Sequence, residues 1–122
     1  MRSLIDLHAH SLVSDGVLTP TQLVNYAAEK GVRVLALTDH DDVDGLPEAR
    51  SVADSHGMQF VNGVEISVTW RRRTLHIVGL KIDPYYPPLV KGLAKIRADR
   101  HVRAVGIAEA GLEHHELFVG VV

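Results

Sequence analysis

Short apolar runs alternate with amphipathic segments in the first half of the chain, and this alternation constrains the fold more than any other feature of the sequence. Leu4 to His8 and the run VRVLAL at residues 32–37 are short and apolar, which is typical of strands. Between them, Thr19 followed by Pro20 indicates a helix start, and Gly31 indicates its end. This order predicts a β-α-β unit, and therefore an α/β fold with a largely parallel sheet.

A second helix and a third strand are predicted next. The helix has Asp42 or Asp44 as its N-terminal cap and Gly57 as its stop. The strand combines residues 58–61 and 64–68, with a bulge at Asn62 and Gly63 between the two runs.

The second half of the chain predicts a hairpin, a helix and a tail. The segment TLHIVGLKI at residues 74–82 predicts a fourth strand, joined to the third by a turn within 70–73. Apolar residues at helical spacing predict a long helix from Pro88 to about Ala110. The tail GLEHHELFVGVV at residues 111–122 has no evident partner.

Composition limits the class of protein. A chain of 122 residues with 46% hydrophobic residues is expected to form one globular domain. Because cysteine is absent, neither a disulfide framework nor a thiolate metal site can form. No basic leader or long apolar segment is evident, which predicts a cytoplasmic protein. The net charge of −2 gives no general attraction to nucleic acid.

Metal-ligand residue types follow each predicted strand or lie within it. The carboxyl ends of parallel strands meet at one edge of a sheet, so residues placed there are expected to converge. Single residues have simpler explanations: Asp15 could form a turn with Gly16, Asp39 could cap a turn, and Glu65 could be a surface carboxylate. Their joint occurrence favours a shared metal site formed by His8, His10, Asp15, Asp39, His40, Glu65 and His76.

The length of the hairpin turn decides whether His76 joins this site. An even number of turn residues, for instance Arg71 and Arg72, places His76 opposite Ser67 and on the same face as Glu65. An odd number places it on the other face, and the sequence leaves both open. Imidazole and carboxylate ligands suit zinc, manganese or iron, whereas calcium prefers oxygen ligands alone.

The segments DLHAHSLVSDG, ALTDHDDVDGLPEA, VNGVEIS and LHIVGL resemble the polymerase and histidinol phosphatase (PHP) superfamily of metal-dependent phosphoesterases over about residues 5–108. The spacing is most similar to the branch of nucleoside 3′,5′-bisphosphate phosphatases and RNase AM-type 5′-3′ exoribonucleases. The resemblance implies the N-terminal part of a distorted seven-stranded β/α barrel, incomplete in this chain. It also implies two or three divalent ions (manganese, iron or zinc) and hydrolysis of nucleotide or short-oligonucleotide phosphate esters by metal-activated water.

The resemblance further implies a role for each candidate. His8, His10 and Glu65 serve one metal, Asp15 and His40 a second, and Glu65 with His76 a third. Glu65, His40 and Asp39 are the expected catalytic group, in which Asp39 orients a metal-bound histidine. The cluster Arg71, Arg72 and Arg73 either forms a solvated turn or contacts substrate phosphate.

Family members continue beyond the length of this chain. We therefore expect residues 1–110 to form the N-terminal part of a PHP domain and 111–122 a divergent tail. His114 and His115 are either substitute ligands or exposed tail residues, and a short terminal segment favours exposure. Self-association or a complementary chain would complete the barrel. The alternatives to a phosphoesterase are an inactive fragment acting as a weak metal binder or interaction module, and a histidinol-phosphatase-like or polymerase-associated member.

Overall fold

The computed structural model describes residues 4–98 and, for the backbone, 118–121. Five strands and three helices are present in these ranges: β1 Leu4–Asp6, α1 Pro20–Glu29, β2 Val32–Leu37, α2 Leu46–Ser55, β3 Gln59–Trp70, β4 Arg73–Leu80, α3 Pro87–Ala98 and β5 Phe118–Val121. None of the helices in the described ranges has the length and apolar character needed to span a membrane.

The described strands form one sheet in the order β1-β2-β3-β4-β5. Strands β1, β2 and β3 are parallel, whereas β3, β4 and β5 pair antiparallel. The predicted α/β class is therefore confirmed. The tail also has a partner, because the backbone of 118–121 pairs with residues 77–80 of β4. The other tail residues, His114 and His115 among them, lie outside the described ranges.

The sequence predicted the N-terminal cap of α1 correctly and that of α2 incorrectly. The Thr19 side chain accepts a hydrogen bond from the Gln22 amide, and the Gln22 side chain accepts one from the Thr19 amide, so the predicted start of α1 is confirmed as a capping box. The cap predicted for α2 was wrong. Gly45 occupies that position without a side-chain cap, because the Asp42 carboxylate instead accepts the Asp44 amide one turn earlier.

Helix α2 ends where its sequence predicted. Gly57 follows the C-terminal cap with a φ of 65°, a left-handed conformation that glycine adopts without steric cost. Helix α3 is described from Pro87 to Ala98, one residue before the predicted start, and its predicted continuation to Ala110 lies outside the described ranges.

Strand β3 is continuous, and the bulge predicted at Asn62 and Gly63 was wrong. Residues 59–62 pair with β2, and residues 63–70 pair with β4. The glycine is needed for close approach, since a Cβ atom on Gly63 would lie 2.7 Å from Thr38 Cγ2 and 3.0 Å from the Leu37 carbonyl oxygen. The two apolar runs are thus one strand that changes partner at its middle.

Strand β1 is shorter than predicted and ends at Asp6. The Asp6 carboxylate accepts a hydrogen bond from the His8 amide, which turns the chain out of the strand. The chain remains beside the end of β2, because the Thr38 amide donates to the Ala9 carbonyl at 2.8 Å. His8 and His10 therefore lie on a loop that is tied to the sheet.

The helices pack on the sheet through a continuous apolar core. A representative set of its fully or almost fully buried members comes from all three helices and two strands: Val24, Leu35, Leu37, Ala49, Val64, Leu93 and Ile96. This core fixes the strand ends that carry the polar cluster described next.

Candidate metal centre

Backbone pairing places His40 and Glu65 side by side. The residue pair forms a parallel bridge beyond the end of β2. The Glu65 amide donates to the Asp39 carbonyl at 3.0 Å, and the Asp41 amide donates to the Glu65 carbonyl at 2.9 Å. The side chains of His40 and Glu65 consequently meet at the edge of the sheet that the sequence predicted.

The buried Glu65 carboxylate is the centre of the cluster, with only 3% of the residue exposed. One oxygen lies 2.5 Å from His8 Nε2 and 3.8 Å from His10 Nε2. The other lies 2.8 Å from His40 Nδ1 and 3.5 Å from His76 Nδ1. A single carboxylate is therefore shared by four imidazole rings.

Asp15 completes the cluster from the loop after β1. Its carboxylate oxygens lie 3.7 Å from His10 Nδ1 and 3.2 Å from His40 Nε2. The cluster divides into three groups whose potential ligand atoms lie within 4.8 Å of one another: His8 with His10 and Glu65; His10 with Asp15 and His40; His40 with Glu65 and His76.

The hairpin turn brings His76 into the cluster. The turn contains two residues, Arg71 and Arg72, with φ values of 47° and 65°, and Ser67 pairs with His76 across the hairpin. The even-numbered turn is thus the one that the chain adopts, and His76 lies on the same face as Glu65.

His10 is held in the form that can bind a cation. Burial lowers the pKa of His10 below its usual value, and repulsion from His40 adds to this effect, while Glu65 and Asp15 oppose it. The His10 ring stacks on His40 with 4.5 Å between centroids, and His10 Nδ1 is buried without a hydrogen-bond partner. A neutral imidazole with an unsatisfied nitrogen is a suitable metal ligand.

The donor atoms fit divalent ions of the zinc, manganese and iron type. Ligand atoms at about 2.1 Å from one ion are roughly 3 to 3.5 Å apart. The two Nε2 atoms of His8 and His10 are 3.1 Å apart, and the contact between Asp15 and His40 at 3.2 Å has similar spacing. Nitrogen and carboxylate donors in this mixture match the preference of borderline metals.

Asp39 lies behind the cluster rather than within it. Its buried carboxylate accepts hydrogen bonds from the Ser11 amide at 2.6 Å, from the Ser11 hydroxyl at 2.7 Å and from the Ser14 hydroxyl at 2.7 Å. These bonds join it to the loop that carries His10 and Asp15. Within the described residues its side-chain hydrogen bonds go to these serines and to no histidine ring, so the orientation of a metal-bound histidine by Asp39 stays a prediction.

Two further residues at the site were not predicted. Asp41 is 3% exposed, has a φ of 52°, and accepts a hydrogen bond from the Ser67 amide at 2.8 Å. Arg97, at the end of α3, donates from Nη1 to the Asp41 carbonyl at 2.6 Å. Asp41 stands beside His40 in the sequence, but nothing in the sequence connects α3 to this position.

A cavity of about 490 Å³ opens next to the cluster. It contacts two of the three ligand groups and is lined by Val13, Ser14, Asp15, His40, Asp41, Asp42, Ser67, His76 and Arg97. This volume is within the range of small-molecule sites.

The arginine cluster lies at the hairpin tip, beginning four residues after Ser67 of β3. Arg71 stacks over the Trp70 ring at 4.5 Å. By strand alternation, Trp70 and Arg73 lie on the face opposite to Glu65. A contact between these arginines and substrate phosphate stays a prediction.

Imidazoles and carboxylates gathered at the strand ends of an α/β sheet are typical of metal-dependent enzymes. Residues 6–116 match the PHP domain model, and the chain belongs to the PHP domain family. The resemblance predicted from the motifs is thereby confirmed.

Two curated relatives and one solved structure illustrate the similarity. The 3′,5′-nucleoside bisphosphate phosphatase of Chromobacterium violaceum is 55% identical over 82% of this chain and 35% of its own length. The 5′-3′ exoribonuclease of Haemophilus influenzae is 47% identical over 89% of this chain and 40% of its own length. The structure of an amidohydrolase from Chromobacterium violaceum with bound sulfate superposes with a TM-score of 0.77, at 55% identity, over 79% of this chain and 34% of that one.

The chain therefore spans between about a third and two fifths of the relatives it matches. Its sheet corresponds to part of the PHP barrel, in agreement with the predicted fold class.

Proposed function

We propose that the chain carries the metal-binding half of a phosphoesterase that hydrolyses phosphate esters of nucleotides or the 5′ ends of short oligonucleotides. The observation that carries this proposal is the sharing of Glu65 by four histidines, which joins neighbouring ligand groups. A shared carboxylate is how proteins hold two ions close together.

Each ligand group has a proposed occupant. His8, His10 and Glu65 would hold one divalent ion, Asp15 and His40 a second, and Glu65 with His76 a third. Divalent ions at this place supply Lewis acidity, which polarises a phosphate ester and makes a nearby water more acidic. Manganese, iron and zinc are the ions that we propose, because the donors are imidazole nitrogens and carboxylate oxygens.

The protein's own contribution is positioning. Asp39 holds the loop of Ser11 and Ser14 and thereby supports His10 within the cluster and Asp15 at the cavity wall. The backbone bridge between His40 and Glu65, with 2.8 Å between the His40 Nδ1 atom and the Glu65 carboxylate, holds these two groups together. Positions set in advance lower the cost of organising the reacting groups.

Two relatives support the substrate class, since one is named a nucleoside bisphosphate phosphatase and the other a 5′-3′ exoribonuclease. An inactive interaction module gains no support from a cluster whose six predicted ligands converge. A cytoplasmic location belongs to the same proposal, because its substrates are nucleotides and RNA.

A complementary chain or a second copy is the proposed partner. Strand β1 lies at the edge of the described sheet, and Leu4, Ile5 and Leu7 near it are 43%, 67% and 38% exposed. An open strand edge with apolar side chains favours further strand pairing. We also propose that the PHP part of the chain ends at residue 110 and that a divergent tail follows it, although the family match extends to residue 116.

The test is hydrolysis by the purified chain loaded with manganese or zinc. Release of phosphate from a nucleoside 3′,5′-bisphosphate, or of mononucleotides from a short 5′-phosphorylated RNA, is expected to stop with chelator and with His8→Ala. His56→Ala is the matched control, because His56 lies at the end of α2 and bonds to Asn25. Turnover that survives both chelator and His8→Ala would contradict the proposal. Metal binding without turnover would mean that catalysis requires further residues, supplied by a complementary chain or a second copy.

A further inference from the structure

Helix α3 delivers an arginine to the wall of the cavity beside the metal-ligand cluster. Leu89, Leu93 and Ile96 anchor the helix in the core. Arg97 follows on its exposed side and lines the cavity together with Asp15, His40 and His76. Neither the motifs nor the proposed function uses this residue.

The guanidinium of Arg97 is held in place without losing its charge. Its short hydrogen bond, at 2.6 Å, goes to the carbonyl oxygen of Asp41, which is a neutral acceptor. The carboxylate of Asp42 is 3.9 Å from Nε, which makes an ion pair at the limit of contact and no hydrogen bond. Because a guanidinium has several N–H donors, others remain for an anionic ligand.

The charge pattern of the cavity wall separates two functions. His40, Asp15 and His76 belong to the proposed metal groups and would hold the divalent ions that bind the hydrolysed phosphate. Among the described residues lining this cavity, Arg97 is the one with a permanent positive charge. Guanidinium matches phosphate in geometry and can donate two parallel hydrogen bonds to it.

We propose that Arg97 binds a second, non-reacting phosphate of the substrate and so determines specificity for nucleotides that carry two phosphates. This inference rests on the proposed function, which places the first phosphate at the metal groups. The cavity volume of about 490 Å³ suits a ligand of nucleotide size.

The experiment compares ligands with one and two phosphates. Adenosine 3′,5′-bisphosphate, adenosine 5′-monophosphate and adenosine 3′-monophosphate are titrated calorimetrically into the manganese-loaded chain, with bound metal measured in the same samples. Arg97→Met is expected to weaken bisphosphate binding at least about tenfold relative to the two monophosphates, because a hydrogen bond to a charged group is lost. Arg97→Lys should restore part of the preference. Lys95→Met, the same loss of charge on the last turn of α3, should leave it intact.

The outcomes separate this inference from the proposed function. A parent chain that binds neither metal nor bisphosphate contradicts the proposed function, and this inference with it. A parent that binds both, with Arg97→Met weakening all three nucleotides equally or none of them, overturns the specificity role alone. An equal loss of bound metal in Arg97→Met would also overturn it, because Arg97 would then act by supporting the Asp41 turn.

Discussion

The burial of the Glu65 carboxylate explains, at the scale of one residue, why this cluster favours a bound cation. A carboxylate with 3% exposure is costly unless charge and hydrogen bonds compensate its burial. Burial lowers the pKa of the neighbouring His10, which disfavours the charged imidazolium that would otherwise compensate the carboxylate. Divalent ions shared by Glu65 and the imidazoles would supply it.

Asp39 offers a test of how far the loop after β1 depends on one side chain. Asp39→Asn replaces an acceptor of three hydrogen bonds by a group whose amide faces N–H and O–H donors. We expect a loss of about 2 kcal/mol in the free energy of unfolding and weaker metal binding, since His10 and Asp15 lose their support. Thermal unfolding and a metal titration measure the two effects.

Asp54→Asn is the control for this substitution, because Asp54 is exposed on α2. Unchanged metal affinity in Asp39→Asn would contradict the proposal that Asp39 positions His10 and Asp15.

Sequence reasoning succeeded for residues that follow strands and failed for residues that depend on tertiary contacts. His8, His10, Asp15, His40, Glu65 and His76 converge as their places after or within predicted strands indicated. Asp41 was missed because aspartate favours a left-handed backbone only weakly, and the turn after β2 that requires it cannot be recognised from the residue type alone. Arg97 was missed because helix packing, rather than local pattern, brings it to the cavity.

At the scale of elements, strand pairing limits what the pattern can reveal. Apolar alternation identified β2 at its observed bounds, and the Thr19-Pro20 pair identified the start of α1. Residues 58–68 were divided at Gly63, because a glycine within a strand also suits a bulge. The actual reason for the glycine, close approach to Thr38, requires knowledge of the neighbouring strand.

The β3–β4 turn contains a testable source of strain. Two-residue turns with positive φ at both positions favour Asn-Gly, yet Arg71 and Arg72 occupy them here. The double variant Arg71→Asn with Arg72→Gly should stabilise the fold by about 1 to 2 kcal/mol, because the left-handed backbone no longer carries long side chains. A thermal unfolding curve should shift upward by roughly 5 °C.

The matched control is Arg71→Gln with Arg72→Gln, which removes the same charges and the contact of Arg71 with Trp70 but keeps side chains at both positions. Equal stability changes in the two double variants would show that charge, and not backbone strain, is responsible.

At the scale of the whole molecule, the described chain contains a concentrated ligand set on a partial barrel. It spans 35% and 40% of two relatives, yet it brings four histidines and two carboxylates into contact without any residue beyond 76. The core formed by α1, α2 and α3 supports the sheet from which these side chains project. The metal groups can therefore be tested in this chain by itself.

The most direct test of the account is the number of divalent ions bound per chain, measured by elemental analysis after dialysis against manganese or zinc, for the parent and for Glu65→Gln. Glu29→Gln, an exposed substitution at the end of α1, is the control, and circular dichroism confirms the fold of all three proteins. We predict at least one ion per chain in the parent and control and a large loss in Glu65→Gln, because the variant has no bridging carboxylate. Equal metal content in Glu65→Gln and the parent would contradict the central role of Glu65.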